Sequence, residues 1–137
     1  MTSLHLYLSY RDAPAALTWL HDAFGFETTL RSDDEQGGIA HAEARLGDAA
    51  IVLFSDDGHD YDRMRPKSND AVGHGAYLAV ASREDVDALW GRAVAAGAVQ
   101  VLKPEDTEWG NYRCRVRDPE GYEWSICTYK PGEPHEW

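Results

Sequence analysis

An α+β architecture of two βαβββ modules, each a curved mixed sheet with one helix on one face, is what the 137-residue sequence predicts. Two observations predict it. The order strand, helix, three strands is read twice along the chain. The two halves also overlay: His5-Leu6-Tyr7-Leu8 lies over Gly75-Ala76-Tyr77-Leu78, and Ala50-Ile51-Val52-Leu53 over Glu123-Trp124-Ser125-Ile126.

The first module spans about 4–55. "LHLYLSY" (4–10) sets Leu4, Leu6 and Leu8 against His5, Tyr7 and Ser9, the period of a half-buried strand. Asp12 is placed to cap a helix in which Ala16, Leu17, Leu20 and Phe24 recur at helical spacing, and Gly25 is placed to stop it. Strands follow at 27–32, 39–46 and 49–55, the last two joined by a Gly47-Asp48 turn. The polar, Asp-rich stretch 56–73 has no periodicity and reads as a linker.

The second module spans about 74–129. It opens with a strand at 75–81 and a helix over 82–97 capped by Ser82, with Asp85 three residues on. Strands at 99–103, 112–117 and 122–129 complete it. Between the last two, Asp118, Pro119 and Gly121 supply an Asx acceptor, a fixed φ and a residue free to take positive φ, which makes a tight hairpin. Residues 130–137 form a proline-containing tail on what is otherwise a single 1–137 domain.

In each module one sheet face is apolar, with Leu4, Leu6, Leu8, Ile51, Leu53, Leu78, Val80, Trp124 and Ile126 expected against the helix. The opposite face carries His5, Tyr7, Ser9, His41, Glu43, Val52, Phe54, Tyr77, Arg113, Arg115, Glu123 and Ser125, a mixed aromatic and polar set suited to a concave small-molecule pocket.

Bulk properties narrow the function. A formal net charge of -11 disfavours nucleic acid and favours a cationic small molecule, and the aromatic residues favour a flat one. No apolar run is long enough for a membrane helix and the N-terminus lacks a basic-then-apolar leader, so a cytoplasmic location is expected. Two cysteines, Cys114 and Cys127, with no short-spaced pair, are expected to be small strand residues and not a disulfide or thiolate metal site.

The paired modules, "DAFGFE", "HAEARLGDAAIVL" and above all "EDTEWGNYRCRVRDPEGYEWSI" resemble the vicinal oxygen chelate superfamily of glyoxalases, bleomycin resistance proteins and extradiol dioxygenases, and within it the PhnB-type glyoxalase-like subgroup. The resemblance covers about Leu4 to Tyr129. It implies that Trp109 walls the pocket and that the chain pairs into a homodimer. The expected ligand-binding residues are therefore His5, Tyr7, His41, Glu43, Phe54, Tyr77, Trp109, Arg115 and Ser125; no catalytic residue is assigned. The resemblance also implies where metal-dependent members hold a divalent ion: at positions that fall here on His5, Val52, Gly75 and Ser125. His5 alone is a good donor, so neither a standard metal site nor a cofactor is expected. The alternative is a metal-dependent lyase, isomerase or dioxygenase that uses His5 with Glu43. One departure concerns the order of residues 112 and 113: subgroup members read Arg-Tyr where this chain has Tyr112-Arg113, which exchanges the faces on which the two side chains project.

Overall fold

The computed structural model describes residues 2–56 and 74–132. The linker expected at 56–73 and the end of the tail, 133–137, therefore lie outside the described residues except for Asp56. The chain divides into two compact units, Met1–Asp70 and Ala71–Trp137, which correspond to the two expected modules.

In the first unit, β1 (Leu6–Tyr10), α1 (Ala13–Phe24), β2 (Glu27–Asp33), β3 (Ile39–Leu46) and β4 (Ala49–Ser55) form one sheet in the order β1-β4-β3-β2 with a single helix. β1 runs parallel to β4, and the other neighbours are antiparallel. Asp12 caps α1 as its position predicts, its Oδ1 accepting from the Ala15 N–H at 3.0 Å. Gly25 takes φ +89°, and its N–H closes on the His21 carbonyl at 2.8 Å. Leu17, Leu20 and Phe24 of the helix are buried together with Leu8, Tyr10, Ala42, Ala44, Ile51 and Leu53 of the sheet. Leu4 does not join them. It is 92% exposed, because β1 pairing begins at Leu6 opposite Ile51 and the residues before it have no strand to lie on.

The second unit repeats the plan. β5 (Ala76–Ala79), α2 (Arg83–Ala95), β6 (Val99–Asp106), β7 (Tyr112–Arg117) and β8 (Glu123–Cys127) give the order β5-β8-β7-β6, with β5 parallel to β8. Ser82 caps α2 by accepting from Asp85 N–H at 3.1 Å. Cys114, Val116, Trp124 and Ile126 are buried with Val86 and Ala93 of the helix, while Leu78 and Val80 are only half-buried. Both cysteines are buried free thiols, and burial pushes the Cys114 thiol up to about 12, which keeps it protonated and unreactive.

β6 runs three residues beyond its expected end, through Pro104. It is an edge strand whose pairing with β7 shifts register between Leu102 and Glu105, so the missing proline N–H interrupts no ladder bond. The hairpin at 118–121 forms as expected, but Asp118 does more than start a turn. It is 2% exposed; its Oδ1 accepts from the N–H groups of Glu120 at 3.0 Å and Tyr122 at 3.1 Å, and its Oδ2 from the Trp124 indole at 3.3 Å. One carboxylate thus fixes the turn and the largest core side chain of the unit together.

Candidate functional site

Strand alternation places Tyr7, His41, Glu43 and Phe54 in the first unit, and Tyr77, Arg115 and Ser125 in the second, on the sheet face turned away from the helix; His5 precedes β1 and Trp109 lies in the turn between β6 and β7, so alternation places neither. In the first unit a row of neighbouring residues crosses all four strands: Leu30 on β2, Glu43 on β3, Val52 on β4 and Tyr7 on β1. In the second, the corresponding row is Leu102 on β6, Arg115 on β7, Ser125 on β8 and Tyr77 on β5. The residues that the sequence overlay equates, Tyr7 with Tyr77 and Val52 with Ser125, occupy equivalent places. The repeat has placed a carboxylate in one sheet where the other has a guanidinium.

Around the first row, Phe54 sits beside Ser9 in register and its ring lies 6.3 Å from that of Tyr7, which is 58% exposed. His41 and Glu43, two residues apart on one face of β3, meet at 2.8 Å between Nε2 and Oε2, both half-exposed. Glu43 is therefore partnered by His41 and not by His5. The His5 ring is engaged at both nitrogens: Nδ1 is 2.9 Å from the Ala50 carbonyl, which it meets as a donor, and Nε2 is 2.7 Å from the Ser3 hydroxyl. With Nδ1 carrying the proton, Nε2 accepts from Ser3.

That arrangement tests the metal site implied by the resemblance. Val52 and Gly75 offer no donor and Ser125 a weak one, while both His5 nitrogens are occupied by protein partners. Among the described residues no three His, Cys, Asp or Glu side chains gather in a way that could hold an ion. The donors at these four positions do not by themselves fit a divalent cation, which wants several converging oxygen or imidazole ligands.

Around the second row, Arg113, Arg115 and Arg117 project from the same face of β7, because Cys114 and Val116 between them are buried toward α2. Arg115 Nε donates to Ser125 Oγ at 2.9 Å. Arg117 donates to Glu123 Oε1 through Nε and Nη2, each at 3.1 Å, and Arg113 Nη2 to Glu105 Oε1 at 3.1 Å. Tyr77, 41% exposed, donates its hydroxyl to the Tyr129 carbonyl at 2.7 Å, and burial, aided by the Cys127 thiol, raises its pKa so that the phenol stays protonated. Trp109 packs edge-on against Tyr129 at 5.4 Å.

Asn111 is a residue whose part the sequence reading missed. Its side chain, 3% exposed, accepts from Tyr129 N–H at 3.0 Å, while its backbone closes the turn from Thr107. It thereby sets the strand end to which both Tyr77 and Trp109 attach. A polar residue directly after the Trp-Gly turn was the available signal. The exchanged pair is explained as well. Tyr112 faces the helix, donating to Asp87 at 2.6 Å with Arg83 3.9 Å over its ring, so it clamps α2 to the sheet and leaves Arg113 on the opposite face.

A further groove of about 420 Å³ was not expected. It lies on the other side of the first sheet, between Leu17 and His21 of α1 and Glu27, Thr28 and Arg31 of β2, away from the predicted residues. Among the described residues no helix is long and apolar enough to cross a membrane.

Comparison with known proteins agrees with this geometry. An uncharacterized protein of Mycobacterium bovis is 31% identical over 126 residues, which cover 90% of this chain and 81% of that protein. The crystal structure of TioX from Micromonospora sp. ML1 superposes with a TM-score of 0.67 at 29% identity, covering 93% of this chain and 98% of that one. A Listeria monocytogenes fosfomycin resistance protein, FosX, shares the fold with a TM-score of 0.73 at 14% identity, over 96% of this chain and 93% of that one. The profile of the Glyoxalase/Bleomycin resistance protein/Dioxygenase superfamily matches residues 2–126, and it is to this superfamily that the chain belongs.

Proposed function

We propose that the chain is a small-molecule-binding protein of the glyoxalase/bleomycin-resistance type that works without the superfamily's four-ligand metal site, as a cytoplasmic homodimer of the PhnB-like kind. The observation that carries this reading is the state of His5. The one strong donor at the four family positions has both ring nitrogens engaged, to Ala50 and Ser3, while Val52, Gly75 and Ser125 stand where further ligands would be needed. The FosX structure, of a point mutant, is a complex with Mn(II) and 1S,2S-dihydroxypropylphosphonic acid, so a protein of this fold binds a small molecule. In this chain the sheets carry rings and hydrogen-bonding groups. Tyr7, backed by the buried Phe54, in one unit and Tyr77 and Trp109 in the other offer flat contact area, and His41–Glu43 and Arg115–Ser125 offer polar anchors.

Elemental analysis of the untagged protein tests this, with His5→Ala alongside. Less than about 0.1 equivalent of any transition metal is expected in both proteins, since a site with one donor holds an ion poorly. A stoichiometric metal in the wild type that disappears in His5→Ala would overturn the reading in favour of a metal-dependent lyase, isomerase or dioxygenase built on His5.

A further inference from the structure

We propose that the second-unit sheet binds a small organic oxyanion, a carboxylate or phosphonate on a flat apolar body, through Arg115 and Ser125. This rests on the small-molecule-binding reading above and names the charge of the ligand.

Three guanidiniums lie on one face of β7. Arg113 and Arg117 each meet a carboxylate, Glu105 and Glu123, and are locally neutralised. Arg115 stands between them and does not. Its partner among the described residues is the neutral Ser125 hydroxyl, reached through Nε, which leaves both terminal nitrogens without an acceptor there. Ser125 Oγ spends a lone pair on that bond and keeps its own proton, for which no acceptor stands among the described residues either. Two residues along the strand, Arg113 Nη1 is buried with no hydrogen-bond partner among the described residues. Three neighbouring side chains thus have donors to spare.

Surplus donors on a half-buried surface are costly, and the group that relieves them must bring acceptors. A cation brings none. A carboxylate or phosphonate brings at least two coplanar oxygens that match the guanidinium fork, with the Ser125 proton at its flank. The row across the sheet supplies the rest: Leu102 on one side of Arg115 and, beyond Ser125, the exposed ring of Tyr77, whose hydroxyl is already committed to Tyr129 and so leaves its face for an apolar body. The chain's net charge of -11 attracts cations at long range, but contact at this face is decided by its local donors.

Calorimetric titration of the full chain with benzoate, phenylphosphonate, benzamide and benzamidine, at pH 7 and constant ionic strength, tests the proposal. Benzoate or phenylphosphonate is expected to bind, the tighter of the two identifying the oxyanion, with benzamide and benzamidine failing. Arg115→Gln is expected to weaken that binding by roughly tenfold to a hundredfold, the worth of charge-assisted hydrogen bonds. Arg115→Lys, which keeps the charge and loses the fork, should fall between, and Ser125→Ala should lose a smaller factor. Thermal unfolding of each variant shows that the fold is kept, and Arg115→Lys with Ser125→Ala carry the test if Arg115→Gln does not fold. Benzamide or benzamidine binding as tightly as benzoate, or an unchanged benzoate affinity in Arg115→Gln, would overturn the charge assignment and leave the binding function standing. Failure of all four probes at millimolar concentration on the folded protein would overturn both.

Discussion

Trp124→Ala is expected to lower the unfolding free energy of the protein by about 3–5 kcal/mol, the range for truncating a buried Trp when the surroundings close only partly over the void. Trp124 is 1% exposed on β8 and is the largest fully buried side chain described. Its indole N–H donates to Asp118 Oδ2, so the substitution also strips a donor from a carboxylate that is itself buried. Two controls separate these effects. Trp124→Phe keeps most of the volume and loses the hydrogen bond, and should cost about 1–2 kcal/mol. Trp109→Ala removes the same side chain from a position 48% exposed and should cost under about 1 kcal/mol. Denaturant unfolding followed by circular dichroism measures all three. Equal losses for Trp124→Ala and Trp109→Ala would show that the second unit is not built around the β8 indole.

Phe24→Ala should have an effect of similar size, about 3–5 kcal/mol, in the first unit. Phe24 ends α1, is 1% exposed, and packs edge to face with Trp19 at 5.2 Å and with Phe26 at 6.5 Å. Losing it opens a void and removes two aromatic contacts, each worth about 0.5–1.5 kcal/mol beyond area burial. It also loosens the helix end where Gly25 turns the chain into β2. Leu30→Ala on the exposed strand β2, 49% accessible, serves as the comparison and should cost under about 1 kcal/mol. A Phe24→Ala variant as stable as Leu30→Ala would mean that α1 is not held to its sheet by this cluster.

The features that sequence made legible are local ones. Asp12, Gly25 and Ser82 act within a few residues of themselves, and each does in the structure what its chemistry predicts at that distance. Alternation over 112–117 and 122–129 placed Arg115 and Ser125 on one face, and the weak overlay of the two halves proved to be a true register equivalence. The features that escaped depend on partners far along the chain. The alternation of Leu4, Leu6 and Leu8 continues past the point where β4 can pair, so Leu4 reads as core and is exposed. That His5 is engaged follows from a carbonyl 45 positions away, which no local pattern signals. The inversion of Tyr112 and Arg113 was visible as a change of face, but its reason, a hydroxyl aimed at Asp87 of α2, required the helix to be in place. β6 runs past the expected 99–103 and through Pro104 because proline is tolerated at an edge, and which strands are edges is a property of the assembled sheet.

We propose that this member of the superfamily binds its ligand with side chains and not through a coordinated metal. The most direct measurement is the dissociation constant for benzoate before and after exhaustive treatment with EDTA. The same value is expected in both, since Arg115, Ser125 and the aromatic faces are untouched by a chelator. Binding that vanishes with EDTA and returns with one equivalent of a divalent metal would contradict it.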